Sequence, residues 1–372
     1  MSGTVKSAVN SAVNGAGSAP TRDEIAPQRF NRDLPGTRVL FAPGAVLELR
    51  SQLASLGWSH AFVVTTGGRS AALVSPMDLL GDSLAAVFNE AREHVPVETV
   101  TAALERFRAS NADVCVAIGG GSAIGLGKMI AMESGAPLVA VPTTYSGSEM
   151  TNIWGQTVDG SKRTGRDASV KPRLVIYDVT LTLRFPAEQS AASGMNAMAH
   201  AVEAMYAVNA TDDTRAIAEE AAQLLARGLP GVVANGTDVR ARALALAGAH
   251  LAGRALDAAA MGLHHKICHV LGGTFKLPHA LTHTIVLPHV VAFNALAAPE
   301  AMERLGRAIG NPDVAAGLAA LNRALGVHAT LGDLGLRESD LGRAAEEVAA
   351  AQYPNPRPVT REDVRALLAA AL

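Results

Sequence analysis

Between Leu34 and about Phe185, short unbroken apolar runs alternate with stretches that read as helices. The runs are AFVVTT (61–66), VCVAI (114–118), PLVAVP (137–142) and RLVIYD (173–178). None alternates apolar with polar positions, so each is expected to be a strand covered on both faces, as in a parallel sheet flanked by helices. This half predicts an α/β, doubly wound, Rossmann-like domain. After Pro186 the β-rich runs disappear. Ala/Leu/Glu/Arg stretches such as 214–229 and 237–257 carry helical spacing, with breaks expected at Gly228-Leu229-Pro230-Gly231 and Asn235-Gly236. The second half predicts an all-α domain. The segment Pro354 to Pro358 interrupts it, and 359–372 reads as a closing helix. Residues 1–28 are rich in Ser, Ala, Asn and Gly and lack the apolar core of a secretory signal, so a disordered tail is expected. The predicted organisation is a tail over 1–28, an α/β domain over 29–187 and a helical domain over 188–372.

Composition narrows the function classes. The 32 Lys and Arg against 34 Asp and Glu leave a formal charge of −2, which offers no field for nucleic acid or an anionic membrane surface. No apolar run is expected to reach membrane-spanning length. Cys115 and Cys268 are the only cysteines, which excludes a disulfide framework and points to a reducing, cytoplasmic setting. Histidine is the anomaly: of 11, eight fall between His200 and His289, six of them from His264 onward.

The segment VCVAIGGGSAIGLGKMIAM (114–132) reads as a buried strand, a glycine turn and the start of a helix. Such a turn aims free backbone N–H groups and the positive end of a helix at an anion, usually a phosphate. It is not a Walker A loop, which needs Gly at Ser122 and Ser or Thr at Met129, and Ile124 breaks the G-x-G-x-x-G pattern. A ligand-free tight turn is the bland alternative. The next strand ends in VPTTYSGSEMT (141–151), placing Thr143, Thr144, Tyr145, Ser146 and Ser148 where open α/β sheets bind ligands. After the earlier strand, Thr65-Thr66-Gly67-Gly68-Arg69 carries no acid to grip an adenosine ribose, so NADPH is not excluded beside NADH.

In GMNAMAHAVEAMY (194–206), Asn196 and His200 share one helix face, and in GLHHKICHVLGG (262–273) His265 and His269 repeat the spacing. PHALTH adds His279, with His283 a turn later. A lone histidine is more often a satisfied core or surface residue, and His250, His283 and His289 are discounted on that ground. Two i,i+4 pairs and His279 are retained as a candidate cleft.

The order GGGS, PTT-x-x-G-S-E, x-A-x-x-H, H-x-x-x-H and P-H before an apolar helix resembles the iron-containing (group III) alcohol dehydrogenases, over roughly 30–372. Within them, SGSEMTNIWG (146–155), GSKRTGRD (160–167), the run 262–289 and YPNPRPV (353–359) resemble the maleylacetate reductases. The resemblance implies the dehydroquinate synthase-like fold of that superfamily, an active site in the cleft between the two domains, and commonly a homodimer. It implies that Gly120, Gly121 and Ser122 hold a pyrophosphate, with Thr143, Thr144 and Lys162 along the nicotinamide half and Thr66 near the adenosine. In metal-dependent members a carboxylate occupies the position of Asn196, and His200, His265 and His279 complete the ligand set. Here an amide replaces that carboxylate, so no tightly bound metal is expected.

The chemistry tolerates that loss. Maleylacetate carries a C=C bond conjugated to a ketone and a carboxylate, so hydride from NADH or NADPH can add β to the ketone and a proton completes 3-oxoadipate. Hydrogen-bond donors and one acid suffice, and imidazolium groups also attract a dianion. His265 is the expected acid, with Asn196, His200, His269 and His279 binding the substrate and Tyr353 a further catalytic candidate. Arg163 and Arg166 read as solvated loop residues ahead of substrate ligands. The rivals are a metal-dependent alcohol or polyol dehydrogenase using Asn196, and a noncatalytic nucleotide-binding scaffold.

Overall fold

The computed structural model describes residues 29–67 and 74–372. The expected tail over 1–28 lies outside the described residues, as do Gly68 and Arg69. The chain forms two compact units that meet in sequence at Phe185 and Pro186.

In the first unit the elements are β1 (Phe30–Leu34), β2 (Thr37–Phe41), α1 (Leu49–Ser55), β3 (Ala61–Val64), α2 (Pro76–Leu80), β4 (Leu84–Phe88), α3 (Val97–Ala109), β5 (Val114–Gly119), α4 (Gly121–Ser134), β6 (Leu138–Pro142), β7 (Ile153–Val158), β8 (Ser161–Arg166) and β9 (Leu174–Tyr177). Seven strands make one sheet in the order β1-β2-β9-β6-β5-β3-β4, all parallel except β1 on β2. The four runs predicted as strands are β3, β5, β6 and β9, and every residue in them is buried. The strands that the apolar pattern did not announce lie elsewhere. β1 is an edge of mostly exposed residues, β4 is a half-buried edge, and β7 and β8 pair as a separate polar ribbon. From β3 the chain moves outward to β4, then returns to the other flank of β3 for β5 and on to β6. That reversal opens a crevice at the carboxyl ends of β3 and β5, the usual ligand position of such sheets.

The second unit is helical: α5 (Ala187–Met205), α6 (Asp212–Ala234), α7 (Val239–Ala258), α8 (Leu263–Thr274), α9 (His279–Asn294), α10 (Pro299–Ile309), α11 (Val314–Ala324), α12 (Leu341–Ala349) and α13 (Arg361–Ala370). Side-chain caps start several of them: Thr211 accepts from Thr214 N, Asp238 from Arg240 N and Ala241 N, and Thr360 forms a reciprocal box with Asp363. The break expected at 228–231 does not occur, since α6 runs through Pro230 to Ala234. Its glycines serve packing instead: a Cβ on Gly228 would stand 2.7 Å from Ala245 N, and one on Gly231 2.8 Å from the Ala241 Cβ. The stretch His279–Ala297 is long and apolar enough to cross a membrane by length and composition, which corrects the expectation drawn from the sequence. More than half of it is buried in this unit, where α9 packs against α8 and α5.

Candidate active site

Two constellations carry chemistry, one in each unit. In the first unit, Gly120 caps α4, so the free N–H groups of the first turn face outward at the end of β5. The next turn lies against it: Thr143 N donates to Gly119 O at 3.0 Å, and a Cβ on Gly120 would lie 2.8 Å from Thr144 Cγ2. Gly121 is exposed and its missing Cβ would meet nothing within 4 Å, leaving open space over the helix terminus. A dinucleotide pyrophosphate fits that cradle. The loop after β6 is fixed from beneath by Lys128, which sequence reading passed over. Its buried ammonium donates to Ser148 O at 2.7 Å, Thr151 Oγ1 at 2.9 Å and Ile153 O at 2.6 Å. Glu149, also buried, accepts from the Tyr177 hydroxyl at 2.8 Å, and burial raises its pKa.

Thr66 lies half-buried beyond β3 and bridges in antiparallel fashion to Glu90. An acidic residue absent from the sequence around Thr66 is therefore present beside it in space, contributed by the segment after β4. Lys162 stands on the exposed strand β8 opposite Thr157, where partial desolvation of its ammonium lowers its pKa. Arg163 and Arg166 are exposed on the same strand, and Arg166 donates to Asn152 Oδ1 at 2.9 Å.

In the second unit, six imidazoles form one continuous cluster. His200 and His265 stack with centroids 5.0 Å apart, and His269 lies 6.2 Å from His265. His283, discounted from its sequence context, sits in the middle: its ring is 4.4 Å from His279, 4.8 Å from His264, 5.0 Å from His265 and 6.3 Å from His200. His283 is fully buried, one helical turn after His279 on α9. His264 was likewise unremarked, and its ring is 5.4 Å from that of His265. Burial grades across the cluster: His269 is exposed, His279 half-buried, Asn196, His200 and His265 buried, and His264 and His283 fully so. Burial holds both of the last two imidazoles well below the usual histidine pKa, and neighbouring imidazoles add to the effect. His250 and His289 take no part in these ring contacts; His250 is buried on α7, and burial lowers the His289 pKa.

A string of hydrogen bonds runs through the cluster. Asn196 Nδ2 lies 3.3 Å from His200 Nε2, His200 Nδ1 2.8 Å from His265 Nε2, and His265 Nδ1 2.5 Å from Glu203. Glu203 is the carboxylate at the end of this string, and the sequence reading did not single it out. It stands seven positions after Asn196, hence on the same face of α5, and that spacing was the available signal. Tyr353 packs half-buried against the apolar cluster that α8, α9 and α12 share; burial chiefly, and the charge of Glu203, raise its phenol pKa. The loop carrying it is clasped to α9. Asn294 and Asn355 exchange amide hydrogen bonds at 3.0 and 2.9 Å, and the Arg357 guanidinium lies 4.2 Å over the Phe293 ring.

As a divalent-cation site the set at Asn196, His200, His265 and His279 fits poorly. Both His200 nitrogens and the amide nitrogen of Asn196 are engaged within the set, and Glu203 is turned away, toward the start of α8. The buried trio His264, Cys268 and His283 brings one ligand atom each within 4.8 Å of the others. For both imidazoles to face a cation, His264 Nδ1 and His283 Nε2 would each carry a hydrogen, and neither atom has a partner.

A phosphate cradle at a sheet's switch point and a histidine cluster in a helical unit define the class: the chain belongs to the iron-containing alcohol dehydrogenase family. Residues 36–179 match the model described as iron-containing alcohol dehydrogenase, and 190–372 match that of the family's C-terminal part. Within that family the chain is similar to maleylacetate reductases. It is 48% identical to the one from Sphingobium indicum over 90% of this chain and 95% of that one, and 45% identical to that of Burkholderia cepacia over 89% and 94%. The crystal structure of maleylacetate reductase from Agrobacterium tumefaciens superposes with a TM-score of 0.87 at 40% identity, covering 93% of this chain and 96% of that one.

Proposed function

We propose that this protein is an NAD(P)H-dependent maleylacetate reductase, converting maleylacetate to 3-oxoadipate in aromatic-compound degradation. The observation that carries the reading is the six-imidazole cluster with an amide, not a carboxylate, at position 196. Relatives at 48% and 45% identity that bear this name support it.

When bound, the reduced nicotinamide supplies a hydride. Gly120, Gly121 and Ser122 would hold its pyrophosphate on the α4 terminus, with Thr143, Thr144 and Lys162 toward the nicotinamide and Thr66 toward the adenosine. The new C–H bond forms at the carbon β to the ketone, and the π electrons move onto the ketone oxygen as an enolate. His265, entering as the imidazolium, is the acid: its Nε2 proton passes to the α-carbon, which leaves the neutral ring with its hydrogen on Nδ1, toward Glu203. Asn196, His200, His269 and His279 bind the dianion, and the charge of any protonated imidazole among them stabilises the enolate. Tyr353, kept protonated by its raised pKa, is a secondary donor. No step requires a Lewis acid, because the conjugated ketone already activates the double bond. The protein would act as a cytoplasmic homodimer, with neither nucleic acid nor membrane as a partner.

A second reading, a metal-dependent alcohol or polyol dehydrogenase, draws on the unpartnered Asn196 Oδ1 and on the carboxylate behind His265. One panel decides between them: maleylacetates and simple aldehydes assayed with NADH and NADPH, with and without chelator. Maleylacetate-dependent NAD(P)H oxidation that survives chelation is expected. Aldehyde reduction lost on chelation and restored by iron or zinc would overturn the proposal, and no turnover with any substrate would favour a noncatalytic scaffold.

A further inference from the structure

Of the buried carboxylates that the proposed reaction leaves without a role, Glu203 is the one that touches the imidazole cluster. Glu203, 1% exposed, turns to the start of α8. Its Oε1 accepts from His264 N at 2.8 Å, and its Oε2 from His265 N at 3.4 Å and from the His265 ring Nδ1 at 2.5 Å. The backbone contacts alone would make it a helix cap. The ring contact does more. An ionised carboxylate can only accept, so the hydrogen of His265 must sit on Nδ1. In the neutral ring Nε2 is then bare, and His200 Nδ1, 2.8 Å away, must donate to it. His200 Nε2 in turn becomes an acceptor and receives the Asn196 amide N–H at 3.3 Å. Asn196 Oδ1, which has no partner, is left at the far end of the string.

The geometry points to Glu203 as a positioning residue: by holding the His265 hydrogen on Nδ1 it sets the direction of each hydrogen bond as far as Asn196. The site therefore presents the substrate with one tautomeric arrangement of its imidazoles, not a mixture of two. Gly262 protects the arrangement, since a Cβ there would lie 2.5 Å from Pro354 O and 3.3 Å from Glu203 Oε1. A Gln at position 203 keeps the shape but must direct an N–H₂ at one of the α8 donors, either at His264 N or at the His265 side. The His264 N contact at 2.8 Å is shorter than the His265 N contact at 3.4 Å and keeps the amide oxygen, so the N–H₂ falls on the His265 side, drives the hydrogen of His265 onto Nε2 and reverses the string.

The proposal rests on the maleylacetate reading only for its kinetic arm. The other arm is nitrogen NMR of the ¹⁵N-histidine-labelled wild-type protein without substrate, at a pH where the rings are neutral. His265 is expected to show a protonated Nδ1 and a bare Nε2, and Glu203→Gln is expected to move that hydrogen to Nε2. Glu203→Gln should lower kcat with maleylacetate on the order of 100-fold while KM and NADH affinity change by less than about threefold. A wild-type His265 protonated on Nε2, or a Glu203→Gln enzyme with unchanged kcat, overturns the assignment. The wild-type spectrum decides even where the variant does not fold. Absence of maleylacetate turnover in the wild type would reject the substrate and leave the tautomer result standing.

Discussion

His265, the acid of the proposed reaction, is held from one side by Glu203 and faces His200 on the other. His265→Ala should lower kcat by at least about 100-fold, while NADH affinity, measured by fluorescence titration, stays near wild type because the phosphate cradle belongs to the other unit. Equal loss of cofactor affinity would contradict that division of roles. Asn196→Asp tests the neighbouring position. An aspartate would accept from His200 Nε2, which puts an acceptor at each end of the string, and its negative charge opposes the dianion. Its expected effects are a raised KM for maleylacetate and stoichiometric uptake of added zinc or iron, read by elemental analysis. His200, His265 and Asn196 were legible from i,i+4 spacing because that spacing on one helix maps directly onto one face. His264 and His283 were not, because their roles depend on how α8 meets α9, which no single-helix pattern encodes. Glu203 was hidden for a related reason: a lone Glu on an Ala-rich helix usually faces solvent, and only the start of α8 buries it.

At the level of elements, the four strands visible in the sequence are covered on both faces, whereas β2, also buried, opens on Thr37 and Arg38 and was too short an apolar run to show. β3, β5, β6 and β9 are unbroken apolar runs because helices pack on either side of the sheet. β1, β7 and β8 escaped detection because edge strands and ribbons keep one side or more in water and so carry polar residues. The break wrongly expected in α6 shows the same limit for helices. Glycine and proline punctuate a chain only where tertiary contacts do not use them, and α7 packs directly on Gly228 and Gly231. The α4 terminus yields a prediction at this scale. Gly121→Val places a side chain in the open space above the helix, so NADH binding should weaken by about tenfold or more, with the thermal midpoint nearly unchanged. Retained affinity would mean that the pyrophosphate lies elsewhere.

For the whole molecule, two buried imidazoles contribute to how stability follows pH. His264 and His283 have folded-state pKa values far below the unfolded value near 6.5, so below about pH 6.5 the unfolded chain binds protons that the folded one refuses. Stability should be independent of these two groups above that point. Below it, each should remove up to about 1.4 kcal/mol per pH unit. Buried Glu149 and Asp178, whose pKa values burial raises, act in the opposite sense, so the slope is read as the difference between wild type and His283→Gln in denaturant titrations from pH 8 to 5; no difference would mean that the ring becomes protonated inside the fold.

The position of β9 in the sheet has a consequence for synthesis. β2 and β6 are not neighbours until β9 arrives between them, and β9 is the last strand of the sheet to be translated. Until Leu174–Tyr177 leave the ribosome, β2 and β6 each lack the strand that pairs with them there in the folded sheet. That interval is when the chain is most prone to pair with a copy of itself. Chains stalled just before Leu174 should be protease-sensitive throughout the first unit, and those stalled once β9 has cleared the exit tunnel should be protected.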